Sequence, residues 1–167
     1  MVSYLAAAEF LHVLFGVMWV GTAIYAEAVL FPQMHRAKTV GDLRVWLGIQ
    51  RRTGQFQSVS SLLTLASGLA YMFLDFGADL VAIWADPSGM LVLISLILVL
   101  LAAAISFGWV IPTSVRLGKS PLPAAPGAPI PAQSTALLAR IQVGVRVIAA
   151  IIVVVLFLMV VAGQGGF

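Results

Sequence analysis

The sequence contains no cysteine and only two histidines, and only 9% of its 167 residues are charged. The lack of cysteine excludes disulfides, thiolate zinc sites, iron–sulfur clusters and covalently attached c-type haem. Two histidines exclude a histidine-rich metal cluster supplied by this chain alone. There is no P-loop, Rossmann glycine pattern, H-E-x-x-H or nucleophile triad, so nucleotide chemistry and soluble-type hydrolysis find no support. A soluble domain carries about 25% charged residues. This chain is 62% apolar with a mean hydropathy of +1.09 and could not solvate its own surface. A soluble globular protein is therefore excluded. The pI near 9.8 then reports membrane topology, and no nucleic-acid partner is expected.

What is present is long apolar runs. A membrane-spanning helix needs about 20 mostly apolar residues. Four stretches qualify, at about residues 4–31, 56–76, 89–111 and 134–162. Pro32 is expected to stop the first, and Pro87 and Pro112 to bound the third. The start is uncharged and the first run is long, so a cleaved signal peptide is not expected. The expected fold is all-α: one transmembrane domain over residues 1–167, an integral membrane four-helix bundle.

Charge sets its direction. Arg36, Lys38, Arg44, Arg51 and Arg52 lie between spans one and two. Arg116 and Lys119 lie between spans three and four, and Arg140 and Arg146 in the first turns of span four. The connection between spans two and three holds Asp75, Asp79 and Asp86 and no base. The positive-inside rule puts the basic connections in the cytoplasm and both termini outside, in the periplasm. The expected location is a bacterial inner membrane, crossed several times, with the lipid bilayer as partner.

Residues 40–52 carry Leu43, Trp46, Leu47 and Gln50 near helical spacing. Three readings fit: a short interfacial helix, a cytoplasmic extension of span two, or a loop anchored by Trp46. Residues 112–133 hold six of the eight prolines, which favours an extended, mobile linker. It reads as a plain tether or a partner-docking segment. No internal repeat stands out strongly enough to argue from.

Ionisable groups inside a span are costly and mark function. Span one holds Glu9, His12 and Glu27. At about 100° per residue, Glu9 and Glu27 share a helix face, with His12, Gly16 and Ala23 near it and Trp19 at its edge. His12 lies roughly 12 Å below the start of the helix. It reads as a buried imidazole bonded to a carbonyl or serine, or as an axial haem ligand or proton relay. Glu9 could bond His12 one turn away and fix its tautomer. Glu27, near the cytoplasmic boundary, is expected to pair with Arg146 or Arg140. His35 reads as a solvated or headgroup-facing residue. It is about 35 Å from His12 along a helix, so a bis-histidine haem would need His12 from each of two copies, a homodimer. The six methionines have no close i, i+4 pair and read as packing residues. Gln57, Ser61, Thr64 and Gly68 share one face of span two, a close-packing seam or the edge of a cofactor pocket.

The segment Leu11-His12-Val13-Leu14-Phe15-Gly16-Val17-Met18-Trp19-Val20-Gly21 resembles the opening span of a loose bacterial superfamily. That group includes the copper-resistance protein D family and the haem-containing protoporphyrinogen oxidase family. Phe31-Pro32-Gln33-Met34-His35 resembles the end of that span in the oxidase family. Arg51-Arg52 and Gly68 look like the copper-resistance branch. The resemblance covers mainly residues 5–75. It implies a four-helix bundle with b-type haem on the histidine matching His12. The oxidase family also carries a lysine early in span three, after a tryptophan. Here Trp84 is followed by Ala85, Asp86, Pro87 and Ser88, and span three has no lysine.

The expected function is a membrane b-type haem protein in electron transfer or membrane redox chemistry. His12 is the metal ligand, Glu9 its orienting partner and Arg146 a partner for a haem propionate. Gly16 and Trp19 share the ligand's stripe. Two other classes stand beside this reading: a non-catalytic subunit of a larger membrane complex, and a copper or small-solute transporter.

Overall fold

Lipid offers the backbone no hydrogen-bond partner, so a spanning segment must satisfy its N–H and C=O groups internally. The computed structural model describes residues 3–77 and 79–164, and these form an all-helical structure. Four helices are long and apolar enough to cross a membrane: α1 (Tyr4–Arg36), α2 (Val40–Phe76), α4 (Pro87–Lys119) and α5 (Ala132–Gly163). A short helix, α3 (Leu80–Ala85), lies between α2 and α4. The chain is a multi-pass membrane protein by length and composition. Each spanning helix buries little of itself: Val17 is 65% and Phe107 71% exposed. Only a lipid solvent tolerates apolar faces of that extent.

Polar side chains start α1, α2 and α4. The Ser3 hydroxyl accepts from the Ala6 amide, and the Asp86 carboxylate from the Gly89 amide at 2.7 Å. Thr39 and Asp42 form a reciprocal capping box at the start of α2. The Thr39 hydroxyl donates to Asp42 and holds its carboxyl below the usual carboxylate range. Gly77, at φ +75°, supplies the left-handed residue that ends α2.

Two expected helix ends are corrected. Pro32 does not stop α1, and Pro112 does not stop α4. Each proline follows a five-residue π turn, Ala26–Leu30 and Ser106–Val110. The Phe31 amide reaches back five residues to the Ala26 carbonyl, and the Ile111 amide to the Ser106 carbonyl. A proline inside a helix removes a donor and presses on the carbonyl of residue i−4. A wider turn just before it absorbs both defects. The two sites also correct the reading that the chain has no repeat worth arguing. Turn, proline and the arginine four residues on (Arg36, Arg116) recur at a constant spacing of 80 residues, 116 minus 36. The fold is two helical hairpins, α1–α2 and α4–α5, whose first helices share this device.

The connection at residues 40–52 is the helical extension of span two, and Trp46 packs on the core within it. The proline-rich linker is shorter than expected, beginning at Ser120, and it is docked rather than free. The Val40 amide donates to the Ala128 carbonyl at 3.0 Å, and the Gly41 amide to the Pro126 carbonyl at 2.8 Å. The Arg44 guanidinium donates to the Pro123 carbonyl at 2.9 Å. The prolines leave their carbonyls free of helix, and the orphan amides at the start of α2 take them up.

The tightest packing lies at this same basic end. Ala26, Leu30, Phe31, Met34, Leu43, Leu117, Leu138, Ile141 and Val145 form one cluster joining both hairpins. A second cluster, Trp19, Ala23, Ala102, Ile148 and Ile152, sits nearer mid-span. Replacing Arg44 with alanine removes the linker's side-chain anchor. Limited proteolysis of that variant is expected to cut within residues 120–131 several times faster than in the parent, with helical content by circular dichroism unchanged.

Candidate functional site in a cavity between the hairpins

Above the second cluster the hairpins separate. Between them lies a half-open cavity of about 540 Å³ with a largely apolar lining drawn from α1, α2, α4 and α5. His12, Gly16 and Trp19 line it from α1, and Thr64, Gly68 and Tyr71 from α2. Ser95 enters from α4 and Met159 from α5.

His12 is the one titratable nitrogen base on that lining. Its Nδ1 lies 3.0 Å from the Thr64 backbone carbonyl. A carbonyl oxygen can only accept, so Nδ1 carries a proton, and in the neutral ring the lone pair is on Nε2. Among the described residues Nε2 has no hydrogen-bond partner. This is the arrangement by which a second partner fixes the tautomer of a metal-binding imidazole. The ring sits this close to α2 because residue 68 has no side chain. A Cβ there would lie 2.7 Å from His12 Cε1 and 2.8 Å from Nδ1.

Ser95 is the second unusual group. It is 1% exposed, and its hydroxyl has no hydrogen-bond partner. Several other hydroxyls of the bundle bond back to their own helices, as Thr22 does to Met18 and Thr64 to Ser60. A buried hydroxyl left alone costs roughly 1–3 kcal/mol, and Ser95 is left alone on the wall of a cavity.

The structure brings together His12, Gly16 and Trp19, but not Glu9 or Arg146. Glu9 is exposed and makes no bond to His12; the Thr64 carbonyl does the orienting. Arg146 does not line the cavity. Its Nε lies 3.4 Å from Glu27 Oε2, which is the expected pairing of Glu27. Glu27 is fifteen residues, or about 22 Å, along α1 from His12. The other Glu27 oxygen is buried without a partner. His35 is exposed and bonds to the Phe31 carbonyl. No group of three or more His, Asp or Glu gathers among the described residues.

The polar row of α2 was half readable. Thr64 and Gly68 touch His12, while Ser61 bonds its own helix and Ser60 is the buried serine. Sequence reasoning missed the Thr64 carbonyl, because a backbone group has no sequence signature. It also missed Tyr71 and the isolation of Ser95.

Comparison with protein-family models, with curated proteins and with solved structures found no match for this chain.

The contact at Gly68 yields a paired prediction. Gly68→Ala forces the His12 ring off the Thr64 carbonyl and is expected to destabilise the protein by about 1–3 kcal/mol. Gly16→Ala is expected to be tolerated, since its Cβ would meet only Thr64 Cγ2, at 3.8 Å. Thermal unfolding in detergent separates the two.

Proposed function

We propose that this chain is a b-type haem protein of the membrane, working in electron transfer or membrane redox chemistry, with His12 as the axial ligand. One observation carries the reading: an imidazole pinned through Nδ1, with its second nitrogen unpartnered, on the wall of an apolar cavity. The resemblance of residues 11–21 to haem-containing membrane families favours the same histidine.

The residues present fit the group in three respects. His12 supplies a ring nitrogen, Nε2, left free by the bond of Nδ1 to Thr64. Apolar side chains form most of the wall, which suits a macrocycle and excludes water. Ser95 supplies a hydroxyl that lacks a partner in the protein itself. Iron held by a single histidine supplies one-electron chemistry whose potential follows the ligand, its hydrogen bond and the burial of the site. The bond to Thr64 fixes the orientation of the His12 ring. Gly68 lets the ring lie flat against α2, and Trp19 closes the cavity from the side of the second cluster. Arg146 has no part in this site, because Glu27 holds it. We further assign both termini to the periplasmic side of a bacterial inner membrane, on the charge distribution alone.

An absorption spectrum of the purified protein titrated with haem tests the proposal. The parent is expected to show a Soret band at one haem per chain. His12→Ala should lose it while keeping its helical content, and added imidazole should restore part of it. No Soret band, or an unchanged band in His12→Ala, would overturn the reading.

The orientation has its own test, helped by the lack of native cysteine. A cysteine at the exposed Trp84 should react with a membrane-impermeant maleimide added outside spheroplasts. One at Ala124 should react only after lysis.

A further inference from the structure

A second groove lies on the lipid side of the α1–α2 hairpin, at its basic end. It has a volume of about 460 Å³ and runs between Val17 and Gly21 of α1 and Arg52, Thr53 and Phe56 of α2, with Tyr25 at its mouth. The contacts of His12 with Gly68 and Gly16 with Thr64 set an antiparallel register in which paired numbers sum to 80. Arg52 is then level with residue 28, next to Glu27. The groove therefore starts in the ring of charge at the basic end and descends into the apolar span. Among the described residues, Arg52 makes no ion pair and no hydrogen bond, and neither the Tyr25 nor the Thr53 hydroxyl makes a hydrogen bond.

We propose that this groove binds one anionic phospholipid, with the phosphate on Arg52, Thr53 and Tyr25 and an acyl chain along Gly21 and Val17. Charge complementarity selects the head: a cation and two hydroxyls without partners suit a phosphodiester. The length selects the tail. Tyr25 to Val17 spans eight residues, about 12 Å, close to the ~15 Å of hydrocarbon in one leaflet. Gly21 keeps the floor open, since a Cβ there would meet nothing within 4 Å. Val17 and Gly21 also border the His12 cavity, but Arg52, Thr53 and Tyr25 do not, so the phosphate contacts do not depend on haem.

The test uses the full chain reconstituted in vesicles of equimolar phosphatidylcholine and phosphatidylglycerol, then extracted gently for native mass spectrometry. The parent is expected to retain one phosphatidylglycerol per chain in preference to phosphatidylcholine. Arg52→Gln should lower that preference by about fivefold, and Arg51→Gln should leave it unchanged. Gly21→Leu, whose Cβ meets nothing within 4 Å and whose branch enters the groove, should lower retention of both lipids. The proposal fails if Arg52→Gln keeps the parental preference, if Arg51→Gln loses as much, or if folded Gly21→Leu retains lipid as the parent does.

Discussion

The structure depends on one constraint: hydrocarbon supplies no hydrogen-bond partner, so polar groups must find theirs within the protein. The backbone complies even at its prolines. Pro32 and Pro112 stand inside α1 and α4 because a π turn ahead of each takes up the misfit. The hydroxyls comply too: Thr22, Ser60, Thr64, Ser106 and Thr113 each donate to a carbonyl one turn back. His12 complies across helices, on the Thr64 carbonyl. Against this background two buried oxygens without a partner stand out among the described residues, Ser95 Oγ and Glu27 Oε1. They differ in kind. Glu27 has Arg146 on its other oxygen and sits near the charged boundary. Ser95 has nothing, deep in the bundle, and it faces the cavity that His12 also lines.

The two ends of the bundle hold together by different means. At the basic end, apolar side chains from both hairpins meet in one cluster, and the linker clamps the start of α2. Away from that end, the α1–α2 hairpin closes on small residues, with Gly16 on Thr64 and Gly68 under His12. Helices in lipid associate through such close packing, because apolar burial gives them little. The α4–α5 hairpin has its own close contact, Gly144 against Val110, beside the π turn. Each hairpin is thus zipped internally, and the space left between them is the cavity.

The four spans were readable because lipid imposes a length and a composition that local sequence must meet. The helix ends were not. Pro32 and Pro112 carry the usual stop signal, and what overrides it is a change of hydrogen-bond register that side chains do not encode. The linker was misread for a related reason. Proline density reports that a segment will not be helical, but not whether its carbonyls are used. The amides of Val40 and Gly41 use two of them. At the site, His12 was legible because an ionisable group at that depth is rare. Its partner was not, since the acceptor is a main-chain carbonyl on another helix. The recurrence of turn, proline and arginine is not legible in the sequence because it resides in backbone geometry, and few other side chains repeat with it.

This division of labour bears on how the cavity could serve a cofactor. The linker and the inner cluster fix the hairpins at one end, so the cavity walls need not hold each other. They are free to be apolar, small or unpaired, as Gly68 and Ser95 are. A ligand held there would add the contacts between α1–α2 and α4–α5 that this region lacks, and would stabilise the folded state by mass action. His12 suits that task because its position is set from within one hairpin, by Thr64 and Gly68, and not by the opposite wall. The donor nitrogen is therefore in place before anything enters, and Ser95 on the other hairpin is left to meet what does.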